Sequence, residues 1–281
     1  RAYYYFTFVN MFKNVPLILE PIPQSEIYNV LQANPQDVYA QIENDLLAAI
    51  QDLPSMVSPD DAGRFTKGAA QALLGKVYLY QNKKSEAAAQ LEQVNGTPGG
   101  TSQYGYRLLD NYADLWVVSN KFNTESILEV KHTQLGGSGW GNWGQGSDEG
   151  NSVNVMVGPR GYSKIGNLAP ALPSGWSFNP FTDDLFAAMA NQASYIAGYQ
   201  DTGYFLNKFT PRQQDVTTGT GDAVLNYRQD TYAIRLADTY LMEAEALGSG
   251  PRAQALLDAV RARVGLTPIP VNQTNIMNER R

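Results

Sequence analysis

Few residues in this chain of 281 could do covalent chemistry. It has no cysteine and one histidine, His132, so thiolate nucleophiles, disulfides and zinc-thiolate sites are excluded together. A serine triad would have to recruit His132, and no G-x-S-x-G elbow is present. Glycoside hydrolysis needs two carboxylates about 5 to 10 Å apart across a cleft. Asp148 or Glu149, facing Asp183 or Asp184, are the pairs whose positions suit it. Adjacent acids also cap helices, and Asp183 and Asp184 follow Thr182 as a first turn would have them, where the helix dipole favours negative charge. Asp60, Asp61, Asp148 and Glu149 are oxygen ligands of the kind calcium takes, without the spaced acidic pattern of a dedicated loop. The expectation is a protein with no catalytic residue, no metal and no cofactor.

A different chemistry is set out between His132 and Gly150, in "HTQLGGSGWGNWGQGSDEG". Trp140 and Trp143 lie three positions apart in a run so rich in glycine that neither helix nor strand is expected. Two readings are open. The indoles tuck under the loop as a small satellite core, or the glycines let them present their faces at a surface.

The elements that must hold such a segment are mostly helices. In "NPQDVYAQIENDLLAAIQDLP", Val38, Ile42, Leu46, Ala49, Ile50 and Leu53 follow the 3.6 period, with Asn34 as cap, Pro35 at the first helical position and Pro54 as stop. "TKGAAQALLGKVYLYQN" predicts a second helix, capped by Thr66, with Ala70, Leu73, Leu74, Val77 and Tyr78 on one side. A turn at 82–84 leads into "SEAAAQLEQV". This pair is similar to a tetratricopeptide hairpin, with Leu74, Gly75, Tyr78 and Ala87 in matching places and Leu91 where an aromatic is usual. Towards the end, Ile234, Leu236, Ala237, Tyr240, Leu241, Ala244 and Leu247 predict one helix, and "PRAQALLDAVRARVG" another between Pro251 and Gly265. Trp116 in "NYADLW" is expected in the core, and Tyr3, Tyr4 and Tyr5 in helix packing rather than a ligand ladder. Between 96 and 229 the chain reads as loop-rich, with short strands at "SILEV" and "SVNVMV" and a short helix at "FTDDLFAAMANQ".

Charge and hydropathy remove other classes. Lys and Arg number 21 against 27 Asp and Glu, a net charge of −6 that disfavours nucleic acid. No run approaches the roughly 18 apolar residues of a membrane span, and the first residues lack a signal layout. Opening on "RAYYYFTFVNMF" and closing on "TNIMNERR", where Thr274 would cap a nascent helix, the chain reads as an internal piece of a longer protein.

The segments "RAYYYFTFVNMFKNVPLILEP", "DVYAQIENDLLAAIQDLP", "GRFTKGAAQALLGKVYLY", "GWSFNPFTDDLFAAM", "YAIRLADTYLMEAEAL", "ALLDAVRARVG" and the terminal "ERR" resemble, in order, the landmarks of the SusD/RagB family of Bacteroidetes. The resemblance implies a mainly α fold: a tetratricopeptide-like helical-hairpin scaffold carrying a long loop-rich insertion with a few short strands. It implies a single SusD-like domain fragment over 1–281, with helical repeats at 1–95, an irregular ligand-loop region at 96–229 and a truncated C-terminal helical repeat at 230–281. It further implies a non-catalytic outer-membrane lipoprotein on the extracellular face, anchored by lipid outside this chain. Such a protein would capture an oligo- or polysaccharide and deliver it to a SusC-like TonB-dependent transporter.

Under that resemblance the glycine-rich stretch acquires a chemistry. Sugars present flat C–H patches ringed by hydroxyls, which suit an aromatic face and short amide groups. Trp140, Asn142, Trp143, Gln145 and Asp148 supply both, and Tyr162 and Trp176, with Asn167 and Asn179, would extend the platform. Alternatives from the same residues are a helical-repeat interaction scaffold, a binder of a non-glycan nutrient, and a hydrolase on the acidic pairs above.

Overall fold

The computed structural model describes residues 1–133, 150–151, 153, 178–180, 185–188, 204–206, 208 and 227–280, the three segments between 178 and 206 by backbone alone. The described residues are mainly helical: α1 (Ala2–Phe12), α2 (Pro35–Asp52), α3 (Lys67–Tyr80), α4 (Lys84–Asn95), α5 (Leu236–Leu247), α6 (Pro251–Ala262) and α7 (Gln273–Arg280). Strands are short. β1 (Val15–Pro16) pairs with β2 (Gln32–Ala33), β3 (Ser126–Val130) with β7 (Thr231–Arg235), and β4 (Phe178–Pro180), β5 (Leu185–Ala188) and β6 (Tyr204–Leu206) form an antiparallel sheet in that order. The chain divides into two compact units. The first comprises Arg1–Tyr112, Thr124–Leu128 and Ala233–Arg280, and the second Ala113–Asn123 and Glu129–Tyr232.

In the first unit each helix packs on the next through α1, α2, α3, α4 and α5, and α5 also holds α6 and α7. Local chemistry explains the boundaries. Asn34 Oδ1 accepts the Asp37 N–H at 3.1 Å, Pro35 opens α2, and Val38, Ile42 and Leu46 form its buried face. Thr66 Oγ1 accepts the Ala69 N–H at 3.2 Å at the start of α3. Helix α3 is buried on more than the one predicted side, because α2, α4 and α5 all pack against it. The α3–α4 turn passes through Asn82, whose φ is 59°.

Gly75 shows how closely that hairpin is drawn together. A Cβ at this position would stand 2.6 Å from Leu91 Cγ, and Leu91 is fully buried. Leu91, where an aromatic is usual, therefore fills the space that the missing side chain leaves.

The helical core also buries charge. Glu243 on α5, 1% exposed, accepts from Asn95 Nδ2 at 2.8 Å and forms an ion pair with Arg252 of α6. Asn95 Nδ2 also donates to the Thr239 carbonyl at 3.0 Å, and Arg252 Nη2 to the Gly96 carbonyl at 2.9 Å. Glu125, fully buried, is met by Arg235 at 2.6 Å, by Arg263 at 2.5 Å and by the Leu109 N–H at 3.0 Å.

The tyrosine run packs as expected in part. Tyr3 meets Phe65 edge-on, and the Tyr5 hydroxyl accepts the Ile18 N–H at 2.7 Å. Tyr4 faces solvent with Phe8, Met11 and Phe12, on the outer side of α1.

Several expectations are corrected. Ile234 lies in strand β7, not in the following helix, where Thr231, Tyr232 and Ile234 suit an extended backbone that pairs with β3. Thr274 lies inside α7; Asn272 Oδ1 caps it by accepting the Asn275 N–H at 2.9 Å. The helix predicted at "FTDDLFAAMANQ" is instead strand at Leu185–Ala188, held between β4 and β6 by backbone pairing. Of "SVNVMV" only Val153 is described, and its backbone is helical: the Asn151 side chain accepts the Val153 N–H at 2.9 Å and starts a local turn. Trp116 is half-buried rather than core, and its neighbour Leu115 is the buried residue of that turn.

Two stability predictions follow from this packing. Gly75→Ala gains about 1 kcal/mol of helix propensity but forces Leu91 out of its place at about 1 to 3 kcal/mol. Its thermal midpoint is expected to fall by a few degrees, and an unchanged or higher midpoint would mean that the hairpin parts freely. Glu243→Ala leaves Arg252 and Asn95 without their partner and is expected to cost about 3 to 5 kcal/mol in urea unfolding, with Glu243→Gln losing less.

Candidate functional site

The described residues show the two stems of the glycine-tryptophan segment. After β3 the chain reaches His132, whose N–H donates to Asp230 Oδ1 at 2.7 Å. Beyond the segment, the Asn151 N–H donates to the Tyr227 carbonyl at 2.7 Å, in an isolated antiparallel bridge. Asn151 Nδ2 donates to the Gln229 carbonyl at 2.8 Å and to Thr231 Oγ1 at 3.1 Å. His132 Nε2 lies 3.4 Å from the same Thr231 hydroxyl. Entry and exit stems therefore hang on one short stretch, residues 227–231, just before and into β7.

Lys121 closes this root from a third part of the chain. Its ammonium pairs with Asp230 and donates to the carbonyls of His132 at 2.8 Å and Arg228 at 2.6 Å. The Asp230 side chain is 3% exposed, so its charge needs such a cation. Gln229 Nε2 donates to the Lys208 carbonyl at 2.7 Å and ties a further strand-flanking residue to the same stretch.

An aromatic cluster stands in the same unit. Trp116 meets Tyr232 edge-on at 5.9 Å between ring centroids, and the Lys208 ammonium lies 5.0 Å from its ring centroid. Tyr232 is fixed at its polar end, donating to the Leu115 carbonyl at 3.0 Å and accepting from Asn123 Nδ2 at 2.7 Å. An indole with a cation at its face and a ring edge beside it is a positioned group rather than a solvent-tolerant filler.

Trp140, Asn142, Trp143, Gln145, Asp148, Tyr162 and Trp176 lie outside the described residues, as do Asn167, Glu149, Asp183 and Asp184. Asn179 is in β4, its backbone paired with Ala187. Asp60 and Asp61 occupy a short 3-10 turn capped by Ser58, and Asp61 pairs with Arg64 at 2.9 Å. Lys121, Asn151 and Asp230 have no periodic or motif signature.

Packed helical hairpins in one unit, and two paired stems in the other, define a helical-repeat protein. The model of the SusD family matches residues 77–281, and that described as "Starch-binding associating with outer membrane" matches residues 1–79. The chain belongs to the SusD family. A "SusD-like protein" of Bacteroides ovatus is 29% identical over 228 residues, 75% of this chain and 40% of its own length. "SusD-like protein P25" of Formosa agariphila is 24% identical over 95% of this chain and 54% of its own. Among solved structures, a "Laminarin binding SusD-like protein" is 61% identical with a TM-score of 0.86, over 100% of this chain and 65% of that one. Surface glycan-binding protein A from Bacteroides thetaiotaomicron, solved with laminarihexaose, has a TM-score of 0.76 at 21% identity over 100% of this chain and 63% of its own, a likeness of fold. The chain thus spans between two fifths and two thirds of the length of these relatives.

Trp116→Ala removes the Tyr232 edge contact and the ring beneath Lys208, and is expected to destabilise by about 1 to 3 kcal/mol, with Trp116→Phe losing less than half of that. Thermal unfolding followed by near-ultraviolet circular dichroism reads both, and equal losses would mean that ring shape, rather than the stacked face, is what counts.

Proposed function

We propose that this chain is the ligand-binding part of a non-catalytic glycan-binding protein at the extracellular face of the outer membrane, and that its glycan is laminarin or a closely related glucan. The observation that carries the reading is the 61% identity, over the whole chain, to a laminarin-binding SusD-like protein. The family model described as starch-binding and outer-membrane-associating supports the carbohydrate class and the location.

Capture is by stacking. Trp140 and Trp143 offer faces to the C–H patches of the sugar rings, and Asn142, Gln145 and Asp148 take the hydroxyls, with Tyr162 and Trp176 extending the platform. A few stacked rings and amide contacts give modest affinity and quick release. That suits handing the glycan to a SusC-like TonB-dependent transporter, with a lipid anchor holding the protein at the membrane. The helices would face the transporter and the loops the ligand, and the site works without turnover.

Calorimetric titration of the intact protein with laminarin, beside starch and xyloglucan as comparison glycans, tests the reading. Binding of laminarin that is lost in a folded Trp140→Ala, Trp143→Ala variant is expected. Binding of none of them would favour a scaffold role or a non-glycan nutrient, and release of reducing ends would overturn the non-catalytic assignment.

A further inference from the structure

The proposed function puts capture on the segment between 134 and 149, and the following rests on that reading. We infer that Lys121 and Asp230 are positioning residues for glycan capture, a charge clamp that fixes the entry stem of the tryptophan-bearing segment without touching the ligand. Lys121 belongs to neither stem. An ammonium has three donors, and this one addresses three acceptors: the His132 carbonyl on the entry stem, and the Arg228 carbonyl and Asp230 carboxylate on the stretch where the exit stem is also attached. Asp230 Oδ1 completes the ring by accepting the His132 N–H. One ion pair thus ties the backbone of the entry stem to residues 228–230 through both its N–H and its C=O.

The exit stem is held by different groups. Asn151 bonds to Tyr227, Gln229 and Thr231 and makes no use of Lys121. Removing the clamp therefore takes away the bonds that hold the His132 peptide, leaves the His132 ring beside Thr231, and does not touch the bonds of Asn151. A root whose backbone is already held leaves less ordering for the binding step to supply. Pairing buried charges is poor evidence for stability, since a hydrophobic pair of the same volume often folds as well. What the pair supplies here is direction: three donors on one nitrogen admit one placement of the His132 peptide relative to the strand.

The test uses the intact protein with laminarin as probe. Lys121→Met keeps the side-chain length and removes all three donors. Because it leaves Asp230 buried without its cation, Lys121→Met, Asp230→Asn is made beside it, neutral at both positions and still able to accept the His132 N–H. Laminarin affinity is expected to fall roughly tenfold or more in Lys121→Met, and less in the double variant. In a Trp140→Ala background Lys121→Met is expected to add clearly less than it does alone, because it acts through the segment that carries the indole. Amide exchange without glycan should speed up in peptides covering 129–133 and stay unchanged in α3 and α5. Parent-like affinity, or an equal loss in both backgrounds, overturns the inference. If the parent binds no laminarin the proposed function fails, and exchange then decides alone: an unchanged rate at 129–133 disposes of the clamp, and a faster one upholds it.

Discussion

A carboxylate with no access to water must be answered by a cation and by hydrogen-bond donors, and this need at Glu243 governs the helical unit. The donors come from different elements: Asn95 at the end of α4 and Arg252 at the start of α6, both converging on α5. Asn95 is committed twice, since its amide also serves Thr239, and Arg252 is committed twice, since it also holds the Gly96 carbonyl. Three helices and the turn that leaves α4 are thereby set in one register. Glu125 repeats the device with Arg235 and Arg263, whose guanidiniums lie 5.9 and 5.0 Å from the centroid of the Tyr112 ring. Tyr112 and Thr124 are the residues between which the chain departs from the first unit and returns to it.

This arrangement divides labour in a way that suits a binding protein. Close helix packing, as at Gly75 and Leu91, gives a frame that does not change when loops do. The second unit follows a different rule in the residues described: polar side chains and backbone groups around 227–231 collect stems from distant parts of the sequence. A segment hung in this way can vary in length and composition with little effect on the frame. Within one family, then, the ligand can change while the fold persists, and a fold-level likeness does not settle the glycan.

Much of the frame was legible in the sequence, because helix signals are local. Asn34 and Thr66 cap where their side chains predict, Pro251 opens its helix, and Gly265 stops it at a φ of 72°. The same local logic misled where pairing between distant segments decides. Leu185–Ala188 follows Thr182, Asp183 and Asp184, whose types suit a helix's first turn, and is strand because β4 and β6 flank it. Thr274 has the chemistry of a cap, yet Asn272, two residues earlier, takes the position. Trp116 carries the apolar mass of a core residue, but its place is decided by Tyr232 and Lys208, more than ninety positions away. The root of the tryptophan segment was invisible for the same reason. Lys121, Asn151 and Asp230 are ordinary surface residue types until folding brings them together, and the candidate ligand residues themselves lie outside the described part of the chain.

The central claim is that the paired tryptophans of the glycine-rich segment meet a glucan. A crystal structure of the intact protein soaked with laminarihexaose tests it most directly. The account predicts glucose rings lying flat on the faces of Trp140 and Trp143, with amide contacts from Asn142 and Gln145. An ordered hexasaccharide seated elsewhere, with both indoles buried beneath the segment, would contradict it.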